Sequence, residues 1–112
     1  MHKICLVAAL MALPLAGAWA QAVPPNCSGV LEPSGWQSKS ERGYWASSVD
    51  LRNISGRPVQ VTVAYNGQGA ISRAAFRMEA GGWSRQWLAR TPSAVPEATL
   101  RASTTFICAA PG

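Results

Sequence analysis

The sequence predicts an all-β domain, a small antiparallel β-sandwich or small barrel stapled by one disulfide near its ends. Three observations carry that reading. Residues 59–65 alternate, with Val59, Val61, Val63 and Tyr65 on one face and Gln60, Thr62 and Ala64 on the other. That period of two is the pattern of a half-buried strand. Turn-forming clusters recur at short intervals, at Pro33-Ser34-Gly35, Asn53-Ile54-Ser55-Gly56, Asn66-Gly67-Gln68-Gly69 and Gly81-Gly82, which favours many short strands over long helices. Cys27 and Cys108 lie near the two ends of what remains once an export signal is removed.

The signal occupies residues 1–20. Lys3 supplies the positive start, residues 4–15 are apolar and uncharged, and Ala18-Trp19-Ala20 forms a cleavage site before Gln21. The apolar run is too short to span a bilayer, which takes about 20 residues. No second run of that length follows, so no membrane span is expected. Cys5 and His2 leave with the signal. A short leader, residues 21–26, contains Pro24-Pro25, which cannot donate to a sheet centre. A single domain, residues 27–112, follows. A chain this short buries only roughly 60–65% of its unfolded surface. A Cys27–Cys108 bond would reinforce it, and that bond needs an oxidising compartment, periplasmic or extracellular.

Taken in order, residues 27–31 predict a brief strand, ended by Pro33-Ser34-Gly35. Residues 34–43 are polar and bounded by glycines, and predict a loop in which Trp36 either is presented for binding or covers one open end of the sandwich. From Trp45 a strand begins, with Trp45, Val49 and Leu51 on one face and Ser48, Asp50 and Arg52 on the other. The strand of residues 59–65 comes next. Residues 72–80 contain helix formers, but Phe76, Met78 and Ala80 alternate with Arg77 and Glu79, and a strand is preferred. Gly81-Gly82 predicts a two-residue hairpin loop joining that strand to residues 83–89. Residues 91–96 form a loop, and a last strand runs over 98–108 with Leu100, Ala102, Phe106 and Cys108 on one face.

The pattern resembles the immunoglobulin-like and fibronectin-like sandwiches common in bacterial envelope proteins. The resemblance rests on Val49-Asp50-Leu51-Arg52-Asn53, Gly56-Arg57-Pro58-Val59 and Phe76-Arg77-Met78-Glu79-Ala80-Gly81-Gly82. It departs from the antibody pattern in placing its cysteines at the ends. It implies an architecture and no function.

Catalysis is poorly provided for. After the signal is removed no histidine remains, which takes away the usual general base and the commonest zinc ligand. With both cysteines bonded, no thiolate remains. Glu32, Glu41, Asp50, Glu79 and Glu97 are the only carboxylates, and none is spaced with another as a ligand pair. There is no P-loop, nucleophile elbow, dinucleotide fingerprint or EF-hand loop. A non-enzyme without cofactor or metal is therefore expected. The mature chain is basic, near +4, with Lys39 and eight dispersed arginines. Such an excess favours an anionic partner or simply solubility. Nucleic acid is not expected, since neither a basic cluster nor a motif supports it.

Tryptophan and arginine mark the candidate binding residues. Trp36 with Lys39 and Arg42 forms one group. Trp83, Arg85 and Trp87 share one strand face and form the other. Exposed, the second group is a binding strip of flat indoles with a guanidinium between them. The expected hairpin register instead pairs Ala80 with Trp83, Met78 with Arg85 and Phe76 with Trp87, which turns the tryptophans toward the core. Asn26-Cys27-Ser28 and Asn53-Ile54-Ser55 match the glycosylation sequon.

Three functional classes follow. The first is a small exported binding module for an unknown protein or envelope polymer. The second is a periplasmic inhibitor or accessory subunit of a partner enzyme, which needs a rigid charged loop, with residues 34–43 the candidate. The third is an assembly subunit that pairs by strand addition, which needs the strand of residues 59–65 at a sheet edge.

Overall fold

The computed structural model describes residues 23–67 and 70–111. The expected signal at residues 1–20 and the Gln68-Gly69 half of the expected turn lie outside the described residues. Six strands and one helix follow in the order β1 (Leu31–Glu41), β2 (Tyr44–Asn53), β3 (Val59–Gly67), β4 (Ala70–Met78), β5 (Trp83–Thr91), α1 (Glu97–Ser103) and β6 (Thr104–Ala109). They form two antiparallel three-stranded sheets, β1-β2-β5 and β4-β3-β6. The all-β fold and the Cys27–Cys108 disulfide are both present.

The alternation in β3 works as expected. Val59, Val61, Val63 and Tyr65 are buried and the residues between them only partly so. Val49 and Leu51 of β2 face them from the other sheet, joined by Leu88, Leu100 and Met78. Each such side chain stabilises the fold by about 1.5–3 kcal/mol through its removal from water. The disulfide closes the core beside Val30 and Leu31, and the Cys108 N–H donates to the Pro25 carbonyl at 3.0 Å.

Four expectations about elements are corrected. Residues 27–30 form turns, not a strand. The Cys27 carbonyl accepts from the N–H groups of Val30 and Leu31, each at 3.0 Å, and Cys27 itself sits at φ +66°. Residues 34–43 are not a loop. They belong to β1 and to the tight turn at Arg42-Gly43 that joins it to β2, with Glu41 opposite Tyr44. Polar residues, Pro33 and Gly35 concealed this strand, and all are tolerated because β1 is an edge strand.

The residues expected to open the last strand instead form α1. Glu97, Ala98, Leu100, Arg101 and Ala102 favour a helix. Arg101 bonds back to Glu97 across one turn, and Leu100 turns wholly into the core. Only from Thr104 does the chain become a strand.

The fourth correction concerns Gly81-Gly82. β4 pairs with β3, while β5 pairs with β2 in the other sheet, so the expected β4–β5 ladder does not form. The Gly82 N–H donates to the Glu79 carbonyl at 2.8 Å, with Gly81 at φ +72° where a type II turn needs a positive value. Asn53 explains why this turn changes sheets. Its N–H donates to the Gly82 carbonyl and its carbonyl accepts from the Gly81 N–H, both at 2.9 Å. Its side-chain amide donates toward the carbonyls of Arg57, Met78 and Glu79. The end of β2 thus captures the linker and starts β5 alongside itself.

Candidate binding face

The outer face of the β1-β2-β5 sheet carries the aromatic strip. Trp83 and Trp87 are each 59% exposed, so the expectation that they fill the core is overturned. The reason is the change of partner: opposite β2, Trp83 pairs with Arg52, Arg85 with Asp50 and Trp87 with Ser48. Those β2 positions have the parity opposite to Val49 and Leu51, and so face away from the core. Four residues of strand separate the two indoles by about 13 Å.

Two bulges complete this face. In β5 one extra residue, Leu88, sits between Trp87 opposite Ser48 and Ala89 opposite Ser47. Leu88 is buried, and beyond it Arg90 stands opposite Ala46 on the same outer face as Trp87. In β1 Gly35-Trp36 is the irregular step between Ser34 opposite Asp50 and Gln37 opposite Ser48. Gly35 takes φ +60°, and a Cβ there would lie 2.7 Å from the Asp50 Oδ2. Bulges re-aim side chains, and this one turns Trp36 inward.

Trp36 is therefore not a presented loop residue. It packs against the core, meets Phe106 edge-on at 6.0 Å between ring centroids, and carries the Arg101 guanidinium 5.4 Å over its ring. Its Nε1 is buried without a hydrogen-bond partner among the described residues. Lys39 lies on β1 opposite Ala46, and Arg42 is exposed in the β1–β2 turn. The fold does not gather Trp36, Lys39 and Arg42 into one group. Trp83, Arg85 and Trp87 do remain together.

Arg85 does not need to snorkel from a core. Its Nε donates to Asp50 Oδ1 at 2.7 Å and its Nη2 to Oδ2 at 3.3 Å, while its guanidinium lies 5.7 Å from the Trp83 ring centroid. The hydrogen bonds from Arg85 hold the Asp50 carboxyl below its ordinary range, its charge adds to this, and partial burial opposes it.

Beyond Trp87 the face deepens into a groove of about 920 Å³, within the range of small-ligand sites. Ala46 and Ala89 give it small residues. Tyr44 and Trp87 supply aromatic walls, and Ile71 of β4, 79% exposed, stands at its side. Arg90 and Glu41 bring opposite charges, the Arg90 guanidinium lying 5.1 Å over the Tyr44 ring. A crevice of about 50 Å³ also borders Trp87, lined by Val63, Ser72, Arg73, Ala74 and Gln86. It marks the seam where β4 and β5 lie side by side, tied by the Ser72 hydroxyl donating to the Leu88 carbonyl.

Sequence reasoning missed Tyr44, Asp50, Arg90 and Ile71 as parts of this face. Tyr44 and Asp50 share the parity of Ser48, which signals the outer face. Arg90 has the opposite parity to Trp87, and only the Leu88 bulge brings them together. Ile71 comes from the other sheet and carries no such signal.

Of the two sequons, Asn53 is fully buried and its amide engaged, so the folded chain offers no acceptor there. Asn26 is exposed, and its Oδ1 accepts from the Ser28 N–H at 3.1 Å. Among the described residues no group of three or more His, Cys, Asp or Glu side chains could hold a metal ion, and no helix is long and apolar enough to cross a membrane. Comparison of the chain with protein-family models, with curated proteins and with solved structures found no match.

Proposed function

We propose that this chain is a small exported binding module that acts without turnover, and that its ligand surface is the outer face of the β1-β2-β5 sheet. The observation that carries this reading is the pair of half-exposed indoles, Trp83 and Trp87, held on the β5 strand of a disulfide-closed fold. Tryptophan and arginine concentrate binding energy in small contact areas, and leaving two indoles in water costs apolar burial that so small a domain needs elsewhere. Export is supported by the signal-like first 20 residues and by the disulfide, which persists in oxidising compartments.

The two other classes lose their sequence candidates. Residues 34–43 form a strand and a tight turn instead of a protruding inhibitory loop. β3 lies between β4 and β6, so the alternating strand offers no free edge for strand addition.

The test is capture of partners by the immobilised chain from the exported fraction of its source cell, beside a Trp83→Ala/Trp87→Ala variant. The variant is expected to keep its fold and lose the captured component. Equal capture by both proteins would remove this face from consideration.

A further inference from the structure

We propose that the ligand of this face is a linear glycan bearing carboxylate groups, with one sugar ring stacked on Trp87 and its acid groups held by Arg73 and Arg90. This rests on the outer face being the binding surface. Trp87 and Ser72 line both the 920 Å³ groove, which holds Arg90, and the 50 Å³ crevice, which holds Arg73, and of the two Trp87 alone offers a flat ring. Trp87 thus borders both the cavity lined by Arg90, from its own strand β5, and the cavity lined by Arg73, from β4 of the other sheet.

The distribution of charge around Trp87 favours an anion. Asp50, the carboxylate nearest along the strip, is neutralised by Arg85. Glu79 and Glu97 are held by Arg77 and Arg101. Glu41 is the one carboxylate lining the groove, which Arg90 also lines. Neither Arg73 nor Arg90 takes part in these three ion pairs. A guanidinium meets a planar carboxylate through two parallel hydrogen bonds, which suits Arg73 and Arg90 to acid groups on either side of a stacked ring.

The layout favours a ring polymer over a protein. The centre of a protein interface is depleted in charge, whereas here the Arg85–Asp50 pair separates Trp83 from Trp87. Flat platforms with charge between them match a chain that shows apolar C–H ring faces at intervals and acid groups between. Trp83, Trp87 and Tyr44 lie at successive levels along the strands and mark a path of roughly 26 Å, enough for several rings. Nucleic acid is the other ring-bearing polyanion, but a disulfide persists in oxidising compartments and is rare in the cytosol and nucleus, where nucleic acid is concentrated.

The test is titration calorimetry of the disulfide-bonded chain with oligogalacturonate, oligomannuronate and hyaluronan oligosaccharides, each beside its carboxyl-reduced neutral form. At least one acidic form is expected to bind at least about tenfold more tightly than its reduced form. Arg73→Gln and Arg90→Gln are each expected to weaken it by about tenfold, and Trp87→Ala to abolish it at an unchanged melting temperature. The proposal is overturned if no acidic glycan binds at about 1 mM, if reduced and acidic forms bind alike, or if both arginine variants bind normally. It is overturned equally if a polyglutamate peptide or a single-stranded oligonucleotide displaces the glycan at matched charge concentration. Absence of glycan binding with partner capture still dependent on Trp83 and Trp87 would reject this ligand class and leave the face in place.

Discussion

Arg85 clasps Asp50 across the β2–β5 ladder, with Nε on Oδ1 at 2.7 Å and Nη2 on Oδ2 at 3.3 Å. The pair lies between the two exposed indoles, so it fixes the middle of the candidate binding strip. Its hydrogen bonds hold the Asp50 carboxyl below its ordinary 3.8. A carboxyl whose value is lower in the folded chain stabilises the fold above its unfolded value and loses that contribution as pH falls through the folded one. Asp50→Asn is therefore expected to melt below the parent at neutral pH. The gap should close as pH falls below 3.8, when the parent loses the same charge. Melting curves of both proteins across that range check it, and a constant gap would show that the Asp50 charge does not matter.

Gly35 is required twice, by its backbone and by its neighbour. It sits at φ +60°, and a methyl group would press on the Asp50 oxygen that Arg85 holds. The left-handed conformation alone costs a non-glycine residue about 1–2 kcal/mol. Gly35→Ala should destabilise the domain by at least that amount in urea unfolding. It should also weaken the Arg85–Asp50 pair, because the carboxylate must shift to make room. An unchanged midpoint would mean that the β1 bulge is not held as described.

Asn53 is a structural residue that looks like a glycosylation site. Its buried amide donates to the Arg57 carbonyl just before β3 and to the Met78 and Glu79 carbonyls where the chain leaves β4, so it ties together two connections that change sheets. Its Oδ1 accepts from the Ser55 N–H and hydroxyl. Leaving a buried acceptor unsatisfied costs about 1–3 kcal/mol, and several are at stake. Asn53→Ala is expected to cost about 2–4 kcal/mol. Asn53→Asp should cost at least as much, since it turns a donor toward carbonyls into a charge. Chemical denaturation of the two variants decides this.

How far the sequence was legible follows from which physics was local. The β3 strand, the β2 faces and the terminal disulfide could be read because alternation and cysteine spacing are properties of short segments or of single pairs. Gly81-Gly82 alone predicts a hairpin loop, whereas Asn53, nearly thirty residues earlier, is what decides which sheet the chain enters next. β1 was hidden because an edge strand tolerates Pro33, Gly35 and charge, which in a central strand argue against pairing. α1 was missed although Glu97 and Arg101 show helical spacing, because Leu100, Ala102, Phe106 and Cys108 also fit an alternating pattern. In the candidate site, strand parity grouped Trp83, Arg85 and Trp87 correctly, and the partner strand alone settled which way they face. The Leu88 bulge breaks parity and hides that Arg90 shares the face of Trp87, while the polar, glycine-bounded sequence around Trp36 hides the strand that turns it inward.

Reduction of the disulfide should show how much the small core depends on it. Cys27 and Cys108 are 81 residues apart in sequence. Constraining an unfolded loop of that length is worth about 4.5 kcal/mol in the chain-entropy model, and measured values are more often 2–4 kcal/mol. A loss of that size lowers the melting temperature of a domain this small by well over about 10 °C. Calorimetry after confirmed reduction checks it, and an unchanged melting point would show that the core holds alone.

The decisive comparison is between Trp36 and Trp87, which the fold places on opposite faces of one sheet. Trp36 packs against Phe106 and lies under Arg101, so truncation removes contacts with β6 and α1 together. Large aromatic truncations in cores cost about 3–5 kcal/mol, and Trp36→Ala, being only partly buried, should lie near the lower end. Trp87 is 59% exposed, so Trp87→Ala should change stability by less than about 1 kcal/mol. Next to it, Leu88→Ala should cost about 2–5 kcal/mol, because the bulge turns that side chain wholly inward. Ligand capture should follow the reverse order, lost with Trp87→Ala and retained by whatever fraction of Trp36→Ala stays folded. A stable Trp36→Ala protein beside an unfolded Trp87→Ala protein would mean that the sheet presents its other face to the core. The Leu88 variant then separates a reversed sheet from a local error, since in a reversed sheet it too would be tolerated.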